Sequence, residues 1–129
     1  MQGDVRRAGS RPRILVVEDE FLIALEIEQM LVDLGCTVIG PVPSVACALA
    51  LLAREAPDFA ILDVNLGRER STPVAEALRA DGVPFALATG YDRAQLPEEA
   101  YRDAPHLGKP LDHHRLVVAL VRLRGGPDE

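Results

Sequence analysis

Residues 14–20 read Ile14-Leu15-Val16-Val17-Glu18-Asp19-Glu20, four apolar residues that give way at once to three acids. A short run apolar at every position, rich in β-branched residues, suits a strand buried on both faces, which is the condition of a parallel sheet. The acids then fall at the strand's carboxyl end. Immediately after them Phe21, Leu22, Leu25, Met30, Leu31 and Leu34 recur at spacings of three and four, the pattern of a helix with these residues inward, and Gly35 stands where such a helix would be capped.

The same unit repeats outward from this point. Thr37-Val38-Ile39 reads as a second strand closed by Gly40-Pro41, and Ser44 can cap a helix reaching about Arg54 before Pro57. Phe59 to Leu62 reads as a third strand ending at Asp63, followed by a loop containing Gly and Arg. Pro73 suits the first turn of a helix that ends near Asp81-Gly82. Pro84 to Ala88 reads as a fourth strand ending at Thr89-Gly90, and a short, weak helical stretch lies around 95–101. Leu107 belongs to a brief fifth strand ending near Lys109-Pro110. A last amphipathic helix, about Asp112 to Arg122, turns Leu116, Val117, Leu120 and Leu123 inward. Five alternations of strand and helix predict an α/β fold: a flavodoxin-like, doubly wound five-stranded parallel sheet of order 2-1-3-4-5 with helices on both faces.

The bulk composition agrees with one globular domain. The chain has 129 residues, 48% hydrophobic and 26% charged, with no Trp. The net charge of −6 disfavours nucleic acid as a partner. Arg6, Arg7, Arg11 and Arg13 form a short basic patch read as a solvated tail. Cys36 and Cys47 have no zinc-type spacing and read as small buried hydrophobes of a reducing compartment. No apolar run approaches a membrane span and no signal peptide is visible, so the expected location is the cytoplasm. Residues 1–11 read as a flexible lead-in, 12–124 as the domain and 125–129 as a short tail with no output domain.

In a doubly wound sheet the chemistry gathers at the carboxyl edge of the strands. Glu18-Asp19, Asp63, Thr89 and Lys109 each end a different strand. Strands one and three are neighbours in the expected order, about 4.8 Å apart, so the Asp19 and Asp63 carboxylates can share one cation. Crowded carboxylates favour a hard, oxygen-seeking ion, which points to Mg²⁺ on Asp19, Asp63 and the main-chain carbonyl of Asn65, with Glu18 acting through water. A metal beside a reactive carboxylate suggests phosphoryl transfer with Asp63 as nucleophile, Thr89 as hydroxyl donor and Lys109 as cation. Each of these residues has an ordinary structural reading by itself, as a cap, a turn or a solvated charge. The signal lies in their joint placement on one edge.

Ile14–Glu20 (ILVVEDE), Ile61–Leu66 (ILDVNL), Ala88–Gly90 (ATG) and Gly108–Pro110 (GKP) resemble, in that order, the response regulator receiver family of two-component signalling. The resemblance implies that Asp63 accepts a phosphoryl group from a phosphohistidine on a sensor histidine kinase or a histidine phosphotransfer domain. It implies that Thr89 and Lys109 bind that group while Asp19, Asp63 and the Asn65 carbonyl hold Mg²⁺. Pro84–Asp92 (PFALATGYD) and Ser71–Leu78 (STPVAEAL) look like a subgroup frequent among stand-alone receivers of alphaproteobacteria, whose kinases are often of the HWE or HisKA2 type. One departure is His106, three residues before the strand-five lysine, where most receivers carry the Tyr or Phe that reports phosphorylation. Tyr91 is the alternative reporter, and His113 and His114 read as surface residues. A monomer or weak dimer is expected, signalling by protein contact or serving as a phosphate sink. Two rival readings stay open: a pseudo-receiver that is never phosphorylated, and a haloacid-dehalogenase-like phosphatase. The latter fits poorly, because its DxD motif belongs on the first strand and Asp63-Val64-Asn65 lacks the second Asp.

Overall fold

The computed structural model describes residues 11–89, 96–109 and 111–123. Strand β1 (Arg13–Val17) lies between β2 (Thr37–Val42) and β3 (Phe59–Leu62), all parallel. A two-stranded hairpin, β4 (Asn65–Leu66) and β5 (Glu69–Arg70), follows β3, and β6 (Phe85–Leu87) pairs with β3 on its far side. The main sheet therefore runs β2-β1-β3-β6. The fifth position is filled, but by one parallel bridge between Leu87 and His106 rather than a strand. Two hydrogen bonds hold it, from Leu87 N–H to the Pro105 carbonyl and from Leu107 N–H to the Leu87 carbonyl, each 2.8 Å. With that bridge the order is the flavodoxin-like one expected.

Alternation along the strands sends successive side chains to opposite faces. Leu15, Val17, Ala60, Leu62, Phe85 and Leu87 point to a core closed by helices α2 (Val45–Leu52) and α3 (Thr72–Ala80) and by a 3₁₀ turn at Glu99–Tyr101. Ile14, Val16, Phe59, Ile61 and Ala86 point the other way, against α1 (Phe21–Asp33) and α4 (His113–Leu123). Both faces are thus covered, and all four residues of the opening apolar run are buried. The weak helical stretch expected around 95–101 is reduced to the 3₁₀ turn, Gln95 lying outside the described residues.

Three expectations from the sequence are corrected. Phe21, Leu22 and Leu25, expected inward, are turned to solvent: the first two are each 72% exposed and Leu25 is 43% exposed. The helix buries Ala24, Ile27 and Leu31 instead. Its sequence is apolar on most sides of its first turns, so periodicity leaves its rotation open. Cys47, expected buried, is exposed, because α2 buries Ala48 one residue further on; Cys36 is buried as expected. Arg13 is not part of a solvated tail. It opens β1, its backbone N–H donates to Asp58 Oδ2 at 2.8 Å, and its guanidinium pairs with Glu55 and the Ala56 carbonyl.

The caps follow local chemistry. Ser44 Oγ accepts the Cys47 N–H at 3.2 Å, satisfying one orphan donor of α2. Gly35, just past the Leu34 C-cap of α1, has φ +91°, the left-handed conformation glycine adopts freely. Gly40 is more demanding. Its φ is +97°, and an added Cβ would meet Val42 N at 2.9 Å and Val16 O at 3.0 Å, both backbone. Gly40→Ala is therefore expected to destabilise the fold by about 2 kcal/mol or more, since strain and overlap act together. A fall in the urea midpoint at unchanged slope would register it.

Candidate functional site

The carboxyl edge of the sheet carries the charged cluster. The chain leaves β1 at Glu18, whose N–H donates to the Val42 carbonyl at 3.0 Å, and leaves β3 at Asp63, whose N–H donates to the Val17 carbonyl at 3.0 Å. These bonds hold both acids against the sheet. Glu18 and Asp63 are buried while Asp19 is exposed, and carboxylate oxygens of all three lie within 4.8 Å of one another. Thr89, also buried, follows Ala88, whose N–H extends the ladder to the Leu62 carbonyl at 3.0 Å.

Lys109 closes the cluster from the fifth strand position. Its Nζ lies 2.9 Å from Asp63 Oδ2, 3.1 Å from Glu18 Oε1 and 3.9 Å from Glu20 Oε1. It also donates to Glu18 Oε2 at 3.3 Å. Burial by itself would lower the lysine's pKa. The hydrogen bond and charge of Asp63, followed by those of Glu18, outweigh it and raise the pKa above the usual 10.5. Glu18 shows the opposite balance. Burial pushes its carboxyl up from 4.5 to about 7, with the Asp63 charge adding to the rise, while the Glu20 N–H bond and Lys109 pull it down. Among the described residues, one ammonium thus faces three carboxylates, which leaves their charge only partly neutralised.

A hard cation fits that deficit. Glu18 Oε1 is buried without a hydrogen-bond partner among the described residues, although the lysine charge is near. A buried carboxylate oxygen met only by the lysine charge, with two more carboxylates within 4.8 Å, is a donor set for an oxygen-seeking divalent ion such as Mg²⁺. Asn65, half-buried, begins the hairpin after Asp63. His106 is half-buried at the single bridge, and Tyr91 lies outside the described residues. His113 and His114 are exposed.

The sequence pattern does not foretell the hairpin or its role at the site. Gly67 N–H donates to Asp19 Oδ2 at 2.9 Å, and Arg70 reaches Asn65 Oδ1 at 3.1 Å. Gly67, with φ +66°, is a visible turn signal, but two-residue strands carry no periodicity that would announce pairing.

The family model for the response regulator receiver domain matches residues 14–121. The chain belongs to the response regulator receiver family. This receiver is similar to the transcriptional regulatory protein PdtaR of Mycobacterium tuberculosis, 30% identical over 112 residues, covering 84% of this chain and 54% of PdtaR. It spans about half the length of the curated relatives it matches. The solution structure of SdrG from Sphingomonas melonis Fr1 is similar at 46% identity and a TM-score of 0.77, covering 88% of this receiver and 97% of SdrG. A CheY-like receiver domain from Methylobacillus flagellatus reaches the same TM-score at 26% identity, with 88% and 99% covered. Receiver domains typically bind Mg²⁺ at an acidic pocket, and this receiver carries an acidic cluster of Glu18, Asp19 and Asp63. Among the described residues no helix is long and apolar enough to cross a membrane.

Proposed function

We propose that this receiver is a phosphorylation switch whose phosphoacceptor is Asp63. The observation that carries this reading is the ion pair of Lys109 Nζ with Asp63 Oδ2 at 2.9 Å, set among buried acids at the carboxyl edge of the sheet. A carboxylate so placed is fixed in position and partly neutralised, which suits a nucleophile that must approach an anionic phosphoryl group.

An Asp63 oxygen attacks phosphorus in line. The O–P bond forms as the P–N bond of a phosphohistidine breaks, and the electron pair stays on the departing imidazole nitrogen. Lys109 and the Thr89 hydroxyl each meet a phosphoryl oxygen. Mg²⁺, held by Asp19, Asp63 and the Asn65 main-chain carbonyl with Glu18 through water, would neutralise charge on the remaining oxygens. The donor is a sensor histidine kinase, of the HWE or HisKA2 type by resemblance, or a histidine phosphotransfer domain. Phe21 and Leu22, exposed directly after the acidic run, offer that donor an apolar face beside the site.

Incubation with Mg²⁺ and acetyl phosphate is expected to add one phosphate to the intact mass, and omission of Mg²⁺ to prevent it. A mass that stays unchanged with the metal present would reject the proposal in favour of a pseudo-receiver. Repeated turnover on phosphoesters would favour a phosphatase.

A further inference from the structure

The β4–β5 hairpin is held from three sides. Gly67 N–H donates to Asp19, and Glu69 Oε2 accepts the Val45 N–H at the start of α2 at 3.1 Å. The third side is Arg70. Its Nε donates to Glu98 Oε2 at 2.8 Å, its Nη2 to Glu98 Oε1 at 3.0 Å and its Nη1 to Asn65 Oδ1 at 3.1 Å. Asn65 stands two residues beyond Asp63, while Glu98 sits 28 positions further on than Arg70, just before the 3₁₀ turn. A second tie runs alongside, between the buried Ser71 Oγ and Tyr101 OH at 2.9 Å.

We infer that Arg70 is a positioning residue: it fixes Asn65 beside the phosphoacceptor and couples that residue to segment 96–104 through Glu98. This deepens the proposed function and rests on it for the metal role of Asn65. The physical ground is the rigidity of the guanidinium. Its donors lie in one plane, so a fork through Nε and Nη2 committed to Glu98 sets the directions of the Nη1 N–H groups, and Asn65 Oδ1 lies on one of them. Displacement of Asn65 therefore strains the Glu98 pair, and movement of Glu98 pulls on Asn65. Coupling of this kind is reciprocal. A lysine has a single ammonium on a flexible stem and cannot hold both partners in one plane.

The test uses the full chain with R70M, R70K, E98Q and the R70M/E98Q pair. The first readout is amide hydrogen exchange without metal. Losing charge-assisted bonds is expected to speed exchange about tenfold in R70M, in both 64–70 and 96–104 and not in β1 or β3. The second readout is a calorimetric Mg²⁺ titration with no phosphodonor, where R70M is expected to weaken affinity by roughly tenfold. R70K fails to restore either readout. E98Q, which keeps its shape and serves should R70M not fold, moves both in the same direction, and the double variant goes no further than R70M. Faster exchange confined to one segment would overturn the coupling, and unchanged Mg²⁺ affinity in R70M or E98Q would overturn the positioning role. The two readings fail separately. A wild-type chain that bound no Mg²⁺ and took no phosphate would reject the phosphoacceptor reading, while exchange without metal still decides whether Arg70 joins the two segments.

Discussion

Asp63→Asn is expected to remove the phosphate adduct entirely while leaving the fold intact. Asn matches Asp in size and keeps a carbonyl oxygen toward Lys109, so packing against β1 is preserved. It has no anionic oxygen to attack phosphorus, so an acyl phosphate cannot form. The loss is one of chemistry rather than stability, and intact mass with a matched thermal melt separates the two. An adduct persisting on the Asp63→Asn protein would place the nucleophile elsewhere on the acidic edge. The same variant carries a second signature. The Asp63 charge is one cause of the raised Glu18 pKa, so its removal should lower that pKa, with burial keeping it above 4.5.

The second large effect is a pH dependence that runs against the common one for carboxylates. Most native acids have lowered pKa values, so stability is lost as pH falls. Glu18 is raised from 4.5 to about 7. Between those values the folded chain holds a proton that the unfolded chain has released. Stability is then present in full below about 4.5 and declines as pH rises toward 7. With 1.36 kcal/mol per unit, the contribution lost approaches roughly 3 kcal/mol. Metal-free protein in chelator should therefore unfold at lower urea at pH 7.5 than at pH 5.5, and Glu18→Gln should remove most of the difference. Added Mg²⁺ should do so too, by stabilising the ionised carboxylates. Equal slopes for wild type and Glu18→Gln would dissociate the pH response from Glu18.

Much of this is legible in the chain. Ile14–Val17 and Phe59–Leu62 announce themselves because strands buried on both faces must be apolar throughout. Glu18, Asp19, Asp63 and Lys109 can be placed on one edge because they end strands, and the structure brings them together. The rotation of α1 is not legible, since Phe21, Leu22 and Leu25 are as apolar as Ala24, Ile27 and Leu31, and only tertiary packing chooses between them. Cys47 is hidden for the same reason on α2. Arg13 looks like tail because its charge says nothing of the Asp58 and Glu55 that meet it from after α2. Arg70 and Glu98 cannot be paired from sequence, because each is an ordinary exposed-type residue and only the hairpin turns one toward the other.

At the fifth strand position, Lys109 hangs two residues beyond Leu107, whose amide bonds the Leu87 carbonyl of β6. The ion pairs of Lys109 and the closure of that edge are therefore linked functions in the thermodynamic sense. To the extent that holding the lysine favours the docked edge, docking of residues 105–107 against β6 favours the ion pairs by the same coupling free energy. Screening of the cluster by a competing cation, or a change in what Lys109 must neutralise, is thus felt in the backbone of the sheet itself, where Leu87 meets Pro105 and Leu107.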